Sequence, residues 1–241
     1  AGTYTLRLRN AFSETTEREV AVVTVKGAPV FNNGGQVSAS EPAVVDGGGV
    51  AQVDEGRAFN LSAELLESCV PFTYQWRKNG VAVSGRAGSG SVTNVSGRFV
   101  KLEFSGGIAP GEAGQYDLLV LNKWGSVASK PLGVKVAAKA RIVMSPKSLT
   151  VTEGGVANFA VETSGEEPQQ YQWYKDGVMV SGGTGRLLTV QNVRTDNATV
   201  GVYTVKVSNR LNATSPEESA GAKLVVTRPG DFSVSVEGRV N

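Results

Sequence analysis

Chemistry at neutral pH needs a base, a nucleophile or a metal ligand, and this sequence offers few of them. It contains no histidine, which removes the commonest general base, the commonest metal ligand and the usual partner of a nucleophilic serine. Its one cysteine, Cys69, stands just before Val70-Pro71. No His or Cys-x-x-Cys neighbour activates it, so it reads as a free thiol or an intermolecular link. Asp46, Asp54 and Glu55 fall in turns and could lend oxygens to a calcium ion. They follow no fixed ligand-loop spacing, and solvated turns account for them more simply. The clusters Gly47-Gly48-Gly49 and Gly85, Gly88, Gly90 open no helix, so they are not phosphate cradles. The sequence therefore names no catalytic, metal-binding or cofactor-binding residue, and no cofactor. The expectation is a protein that is not an enzyme.

The remaining candidates concern modification and contact. Four Asn-x-Ser/Thr triplets begin at Asn60, Asn94, Asn197 and Asn212, and each would accept a glycan in a eukaryotic secretory pathway. Lys and Arg number 24 against 22 Asp and Glu, a net charge of +2 with the signs intermixed. No basic stripe can neutralise a run of phosphates, which argues against nucleic acid. No apolar stretch reaches the length of a membrane span, which argues against direct membrane insertion.

The elements that hold these residues announce themselves by repetition. Three segments share Tyr-x-apolar-x-apolar-x-Asn: Tyr4 to Asn10, Tyr116 to Asn122 and Tyr203 to Asn209, each with a glycine two residues earlier. The tyrosines are 112 and 87 residues apart, a domain's length. Before the last two lies a second shared block, Tyr74-Gln75-Trp76-Arg77-Lys78-Asn79-Gly80-Val81 and Tyr171-Gln172-Trp173-Tyr174-Lys175-Asp176-Gly177-Val178. Further upstream, Glu55-Gly56 and Glu153-Gly154 precede alternating runs: Phe59, Leu61, Ala63 and Ala157, Phe159, Val161. Each block alternates faces as a half-buried strand does, and Asn-Gly or Asp-Gly supplies the positive φ of a tight turn. With short Val/Thr/Leu/Tyr runs between turn residues every ten positions or so, the chain is predicted to be all-β. Trp76 and Trp173 are predicted to lie in the cores.

These blocks resemble the immunoglobulin superfamily, in particular its intermediate-type sets and cysteine-poor bacterial versions. The resemblance implies tandem immunoglobulin-like Greek-key β-sandwiches. Trp76 and Trp173 take the strand C position, and Tyr4, Tyr116 and Tyr203 that of the tyrosine corner. Where the family places its second cysteine, two residues on, stand Leu6, Leu118 and Val205; on strand B the matching positions are Ala63 and Val161. The inter-sheet disulfide is thus replaced by aliphatic contact, at a forgone stabilisation of roughly 2–5 kcal/mol. Its loss from all three repeats points to a bacterial source. The acidic residue the family often sets four before the tyrosine is Glu112 in one repeat and Thr199 in the next, which puts the second salt bridge in doubt. Some bacterial sandwiches also form Lys–Asn isopeptide bonds, and no such triad is fixed here.

The expected domains are 1–27, a terminal hairpin (strands F and G) of an incomplete sandwich; 28–138, a sandwich enlarged at Phe31 to Gly49 and Val81 to Gly97; 139–227, a second sandwich; and 228–241, a linker and first strand of another. The polar run Gly85 to Gly97 reads as an extended loop with a short edge strand. Phe12, Trp124 and Leu211 each follow the repeat's asparagine by two. Trp124 would pack near Lys26 to Val30 and Leu211 near Ala138 to Ile142 as inter-domain contacts, or each tip would cover its own domain's B–C loop. The function expected is an extracellular or cell-surface structural or adhesive repeat, a stalk, spacer or fibre, with neighbouring immunoglobulin-like domains as partners. Strand donation between like chains, with Phe232 to Val236 as donor, would extend it into a filament. The alternative is a ligand- or carbohydrate-binding accessory module of a large secreted protein or enzyme, which would bind a surface protein or glycan through residues 83–97.

Overall fold

The computed structural model describes residues 2–9, 15–23, 26–66, 70–92, 98–196, 198–228 and 230. The chain divides into two compact units, residues 1–136 and 137–241.

The first unit begins with an antiparallel hairpin, β1 (Gly2–Arg9) and β2 (Thr15–Val23), in which Tyr4 faces Ala21 in register. The sandwich after it contains β3 (Ser38–Ala39), β4 (Val44–Val45), β5 (Val50–Asp54), β6 (Asn60–Glu64), β7 (Phe72–Lys78), β8 (Val81–Ala82), β9 (Ser89–Val92), β10 (Phe99–Glu103), β11 (Gly114–Asn122), β12 (Gly125–Ala128) and β13 (Leu132–Ala137). One sheet runs β10-β6-β3; the other runs β4-β5-β13-β11-β7-β8, with β12 on β11 and β9 on β7.

In the second unit the strands are β14 (Arg141–Met144), β15 (Leu149–Thr152), β16 (Ala157–Ala160), β17 (Glu162–Ser164), β18 (Gln170–Lys175), β19 (Val178–Met179), β20 (Leu187–Val190), β21 (Gly201–Ser208), β22 (Glu217–Glu218) and β23 (Ala222–Thr227). The pairs β14-β17 and β16-β20 form one layer, and β15-β23-β21-β18-β19 the other, with β15 parallel to β23.

Each core is built on its tryptophan. Trp76 and Trp173 are fully buried, and so are Leu118 and Val205, which stand opposite them on the next strand. Burying an indole removes about 200 Å² from water, worth roughly 5 kcal/mol as an upper value. Phe59 stacks on Phe104 at 4.6 Å in the first sandwich, and Phe159 stacks on Tyr203 at 4.6 Å in the second. Ala63 and Val161 are both buried, but they are not spatial equivalents. Leu65 and Val161 each donate an N–H to the arginine carbonyl that opens the neighbouring strand, of Arg98 and Arg186. Leu65 lies nine residues beyond Gly56, and Val161 only seven beyond Gly154. Ala63 opposite Val100 therefore corresponds to Phe159 opposite Leu188, two places off the match counted from the glycines.

Turn chemistry explains the rest of the repeat. Asn79 and Gly80 have φ of 50° and 80°, Asp176 and Gly177 48° and 81°, closing two-residue hairpins. Asn79 Oδ1 accepts the Gln115 N–H at 2.9 Å, and Asp176 Oδ1 the Val202 N–H at 2.8 Å. That capping group fills the space beside the glycine two before each tyrosine. A Cβ at Gly114 would lie 3.0 Å from Asn79 Oδ1, and one at Gly201 would run into the Asp176 carboxylate.

Candidate interaction surface around the incoming segments

The tyrosines, the repeat asparagines and two buried serines fix the ends of each sandwich. Tyr116 Oη donates to the Glu112 carbonyl at 2.6 Å, and Tyr203 Oη to that of Thr199 at 2.7 Å. Burial, followed by the nearby Glu112 charge, pushes the Tyr116 hydroxyl up to about 12, and burial raises Tyr203 too. Both stay protonated donors. Glu112 pairs with Arg86 at 2.8 Å, and that guanidinium lies 4.7 Å from the Phe104 ring centre. In the second sandwich Thr199 instead bonds its hydroxyl to the Arg194 N–H and carbonyl, closing a turn.

The repeat's last asparagine ties down the segment that enters the sandwich. Asn122 Nδ2 donates to the Gly27 carbonyl at 2.8 Å while its Oδ1 accepts the Trp124 N–H at 2.9 Å. Asn209 repeats this with the Ala138 carbonyl at 2.8 Å and the Leu211 N–H at 3.0 Å, and adds the Glu166 carbonyl at 3.0 Å. These asparagines recur in all three repeats, two residues before the apolar positions expected to make the contacts. A polar side chain recurring at the end of an apolar strand was the signal that could have found them. Trp124 is 41% exposed and Leu211 half-buried. Trp124 N and Leu211 N are held by the asparagines, whose amides also bond the incoming chain; in the second sandwich the Asn212 amide and the Glu166 N–H add bonds to Ala140 and Ala138.

Two serines escaped the sequence reading altogether. Ser129 Oγ accepts the Leu118 N–H at 2.8 Å, and Ser219 Oγ the Val205 N–H at 3.0 Å. Each sits where the last strand of its sandwich breaks, between β12 and β13 or between β22 and β23. The hydroxyl supplies the ladder bond that the break removes.

Two adjoining concavities open beside Trp124. One, of about 410 Å³, is lined by Phe72, Thr73, Ser91, Leu121 and Lys123, with Pro71 at the edge shared with the other. The other, of about 470 Å³, is lined by Lys26, Pro71, Lys123 and Trp124. Thr73 faces Ser91 on one side and Leu121 on the other, a row across three strands. Ser91 comes from β9, within the run expected to be a loop with an edge strand.

The other candidates fall as follows. Cys69, Phe12, Asn94, Asn197 and the segment Phe232 to Val236 lie outside the described residues, as do the side chains of Tyr4 and Leu6. Asp46 is a turn cap: Oδ1 accepts the N–H groups of Gly48 and Val50, and Oδ2 the Gln52 amide. Those bonds, the one from Val50 foremost, hold its carboxyl below the usual aspartate value. Asp54 and Glu55 flank the next turn, and among the described residues no three His, Cys, Asp or Glu side chains gather as a metal site. Asn60 lies in β6. The Asn212 amide is spent on the Ala140 carbonyl and the Asn209 N–H.

The immunoglobulin domain family matches residues 139–209. This stretch is an immunoglobulin domain. The whole chain is a tandem of immunoglobulin-like sandwiches, and a structure of immunoglobulin domains 1–4 of Sidekick-1 overlays it with a TM-score of 0.50 at 17% identity, covering 86% of this chain and 49% of that one. Among relatives, the muscle M-line assembly protein unc-89 of Caenorhabditis elegans is 26% identical over 80% of this chain. The human cell adhesion molecule DSCAM is 26% identical over 62%. The chain spans only 2% and 7% of their lengths. Both relatives are animal proteins, against the bacterial source expected from the missing bridge.

Proposed function

We propose that this chain is a non-enzymatic spacer and adhesion segment of an extracellular or cell-surface array. Its domains are those of the sequence reading: a terminal hairpin over 1–27, sandwiches over 28–138 and 139–227, and a further linker beyond. Its partners are neighbouring immunoglobulin-like domains. The observation that supports this most is the duplicated asparagine tie, Asn122 to Gly27 and Asn209 to Ala138. A spacer needs the chain to enter each sandwich in a fixed direction, and a side-chain amide holding the incoming carbonyl provides that at the cost of two ordered rotamers. Adhesion is supported by the name of the DSCAM relative.

Small-angle scattering on the full chain and on N122A/N209A tests it. The expected result is a narrow distribution of maximum dimension in the parent and a broader one in the variant, with both sandwiches still folded by circular dichroism. A parent as broad as the variant would remove the spacer reading.

A further inference from the structure

In the second sandwich, the cation that follows the repeat asparagine is neutralised: Arg210 pairs with Glu166 at 2.7 Å. In the first, that position is Lys123, whose ammonium lies 4.5 Å from the centre of the Trp124 ring. Among the described residues no carboxylate pairs with Lys123 or with Lys26, and the two lysines share one concavity. That concavity joins an apolar groove floored by Phe72 and walled by Pro71 and Leu121. Two cations with no carboxylate partner among the described residues, beside apolar surface, favour a ligand that brings both an anion and an apolar group.

The inserted strand β9 builds one wall of the groove. Arg98 lies ten positions after Gly88, whereas Arg186 lies three after Gly183, and the two glycines receive the same N–H bonds from Trp76 and Trp173. The row Ser91, Thr73, Leu121 crosses about 10 Å of sheet and ends beside the turn bearing Lys123.

We propose that this groove docks an acidic–apolar segment of a protein partner, an apolar side chain over Phe72 and Leu121 and a carboxylate between Lys26 and Lys123. A neutral sugar is disfavoured because the amide and the threonine hydroxyl that line the groove are already engaged. Both ends of the Asn122 amide are engaged, and the Thr73 hydroxyl already leans on the Leu121 carbonyl. The proposal extends the adhesive part of the function above. The scattering experiment reads the incoming segments and not the lysines, so either idea can fail alone.

The test uses the full chain against dodecapeptides alternating Asp or Glu with Leu, Val, Phe or Pro, their Lys-substituted counterparts, and two anionic sugars, sialyllactose and a heparin tetrasaccharide. Because Trp76 and Trp173 are buried, binding is expected to shift the Trp124 emission to the blue, a change lost in W124F. In K26E/K123E, affinity for the acidic peptides should fall at least about tenfold and the Lys peptides should bind instead. S91W, which fills the groove without changing charge, should also abolish binding, with thermal melts confirming that each variant is folded. Equal binding of acidic and Lys peptides, or unchanged affinity in K26E/K123E, would overturn the proposal. Lysine-dependent binding of the sugars with silent peptides would overturn it in favour of an anionic glycan.

Discussion

The two sandwiches solve the same packing problem with the same strands but spend their polar groups differently. Trp173 Nε1 donates to the Gly185 carbonyl at 2.8 Å, whereas Trp76 Nε1, equally buried, has no partner among the described residues. The second sandwich uses a short connection to bring a carbonyl onto the indole. The first interrupts that connection with β9, and covers the β7 edge over Phe72–Gln75 instead. A tight loop satisfies the core; a long one builds an outer wall. Among the described residues, the first sandwich thus shows an added outer strand where the second shows an indole hydrogen bond.

Replacing the tryptophans is the harshest test of this contrast. Trp76→Ala and Trp173→Ala should each cost about 3–5 kcal/mol and selectively lower the melting of their own sandwich. The phenylalanine variants separate the two. W173F leaves the Gly185 carbonyl unpaired and should cost about 1–2 kcal/mol more than W76F, which loses packing but no bond. Equal costs in urea titrations followed by backbone amide exchange would show that the Trp76 donor is satisfied after all.

The serines probe what the sandwiches have in common. Ser129 and Ser219 are buried, and removing either hydroxyl strands a buried N–H of Leu118 or Val205. S129A and S219A should each destabilise their sandwich by about 1–3 kcal/mol, with protection lost first at those two amides. A large difference between the two would mean that the strand breaks are not equivalent.

How much of this could be read in the sequence follows from which forces leave a pattern. Burial alternates along a strand, so the positions of Trp76, Trp173, Tyr116 and Tyr203 and the Asn-Gly and Asp-Gly turns were legible from spacing. Ser129 and Ser219 were not, because a serine between a strand and a loop looks like any turn residue until its partner strand is known. Ala63 and Val161 aligned by counting from a glycine, and counting cannot see two extra residues absorbed within a strand. Lys123 and Trp124 were visible as types, but their groove depends on β9 crossing to β7, a contact distant in sequence.

The asparagines give a smaller, graded difference. Asn209 is buried and Asn122 half-buried, and each holds its incoming carbonyl through the side-chain amide. N209A and N122A should each cost about 1–2 kcal/mol, with N209A the larger because its amide is the more deeply buried. The reverse order in thermal melts would mean that Glu166 is held without its asparagine.

The last contrast is electrostatic and the smallest. Glu112 in the first sandwich corresponds to Thr199 in the second, so only the first has a carboxylate at that position. Partial burial pushes the Glu112 carboxyl up, but the bonds from Arg86 and the Ala109 N–H, with the Arg86 and Lys78 charges, outweigh it and hold the group below the ordinary value of 4.5. A carboxyl depressed in the folded state contributes stability that is complete above its unfolded value and fades as pH falls through its folded one. Acid titration should therefore weaken the first sandwich below about pH 4.5, and E112Q should remove part of that dependence while leaving the second unchanged. Some acid sensitivity must persist in both, because Asp46 and Glu64 are also depressed in the first and Asp176 and Asp196 in the second. If E112Q and the parent lose stability in parallel from pH 6 to pH 3, the Arg86 pair adds shape rather than charge to the corner. The tyrosine hydroxyl on the Glu112 carbonyl would then be what holds that end of the first sandwich.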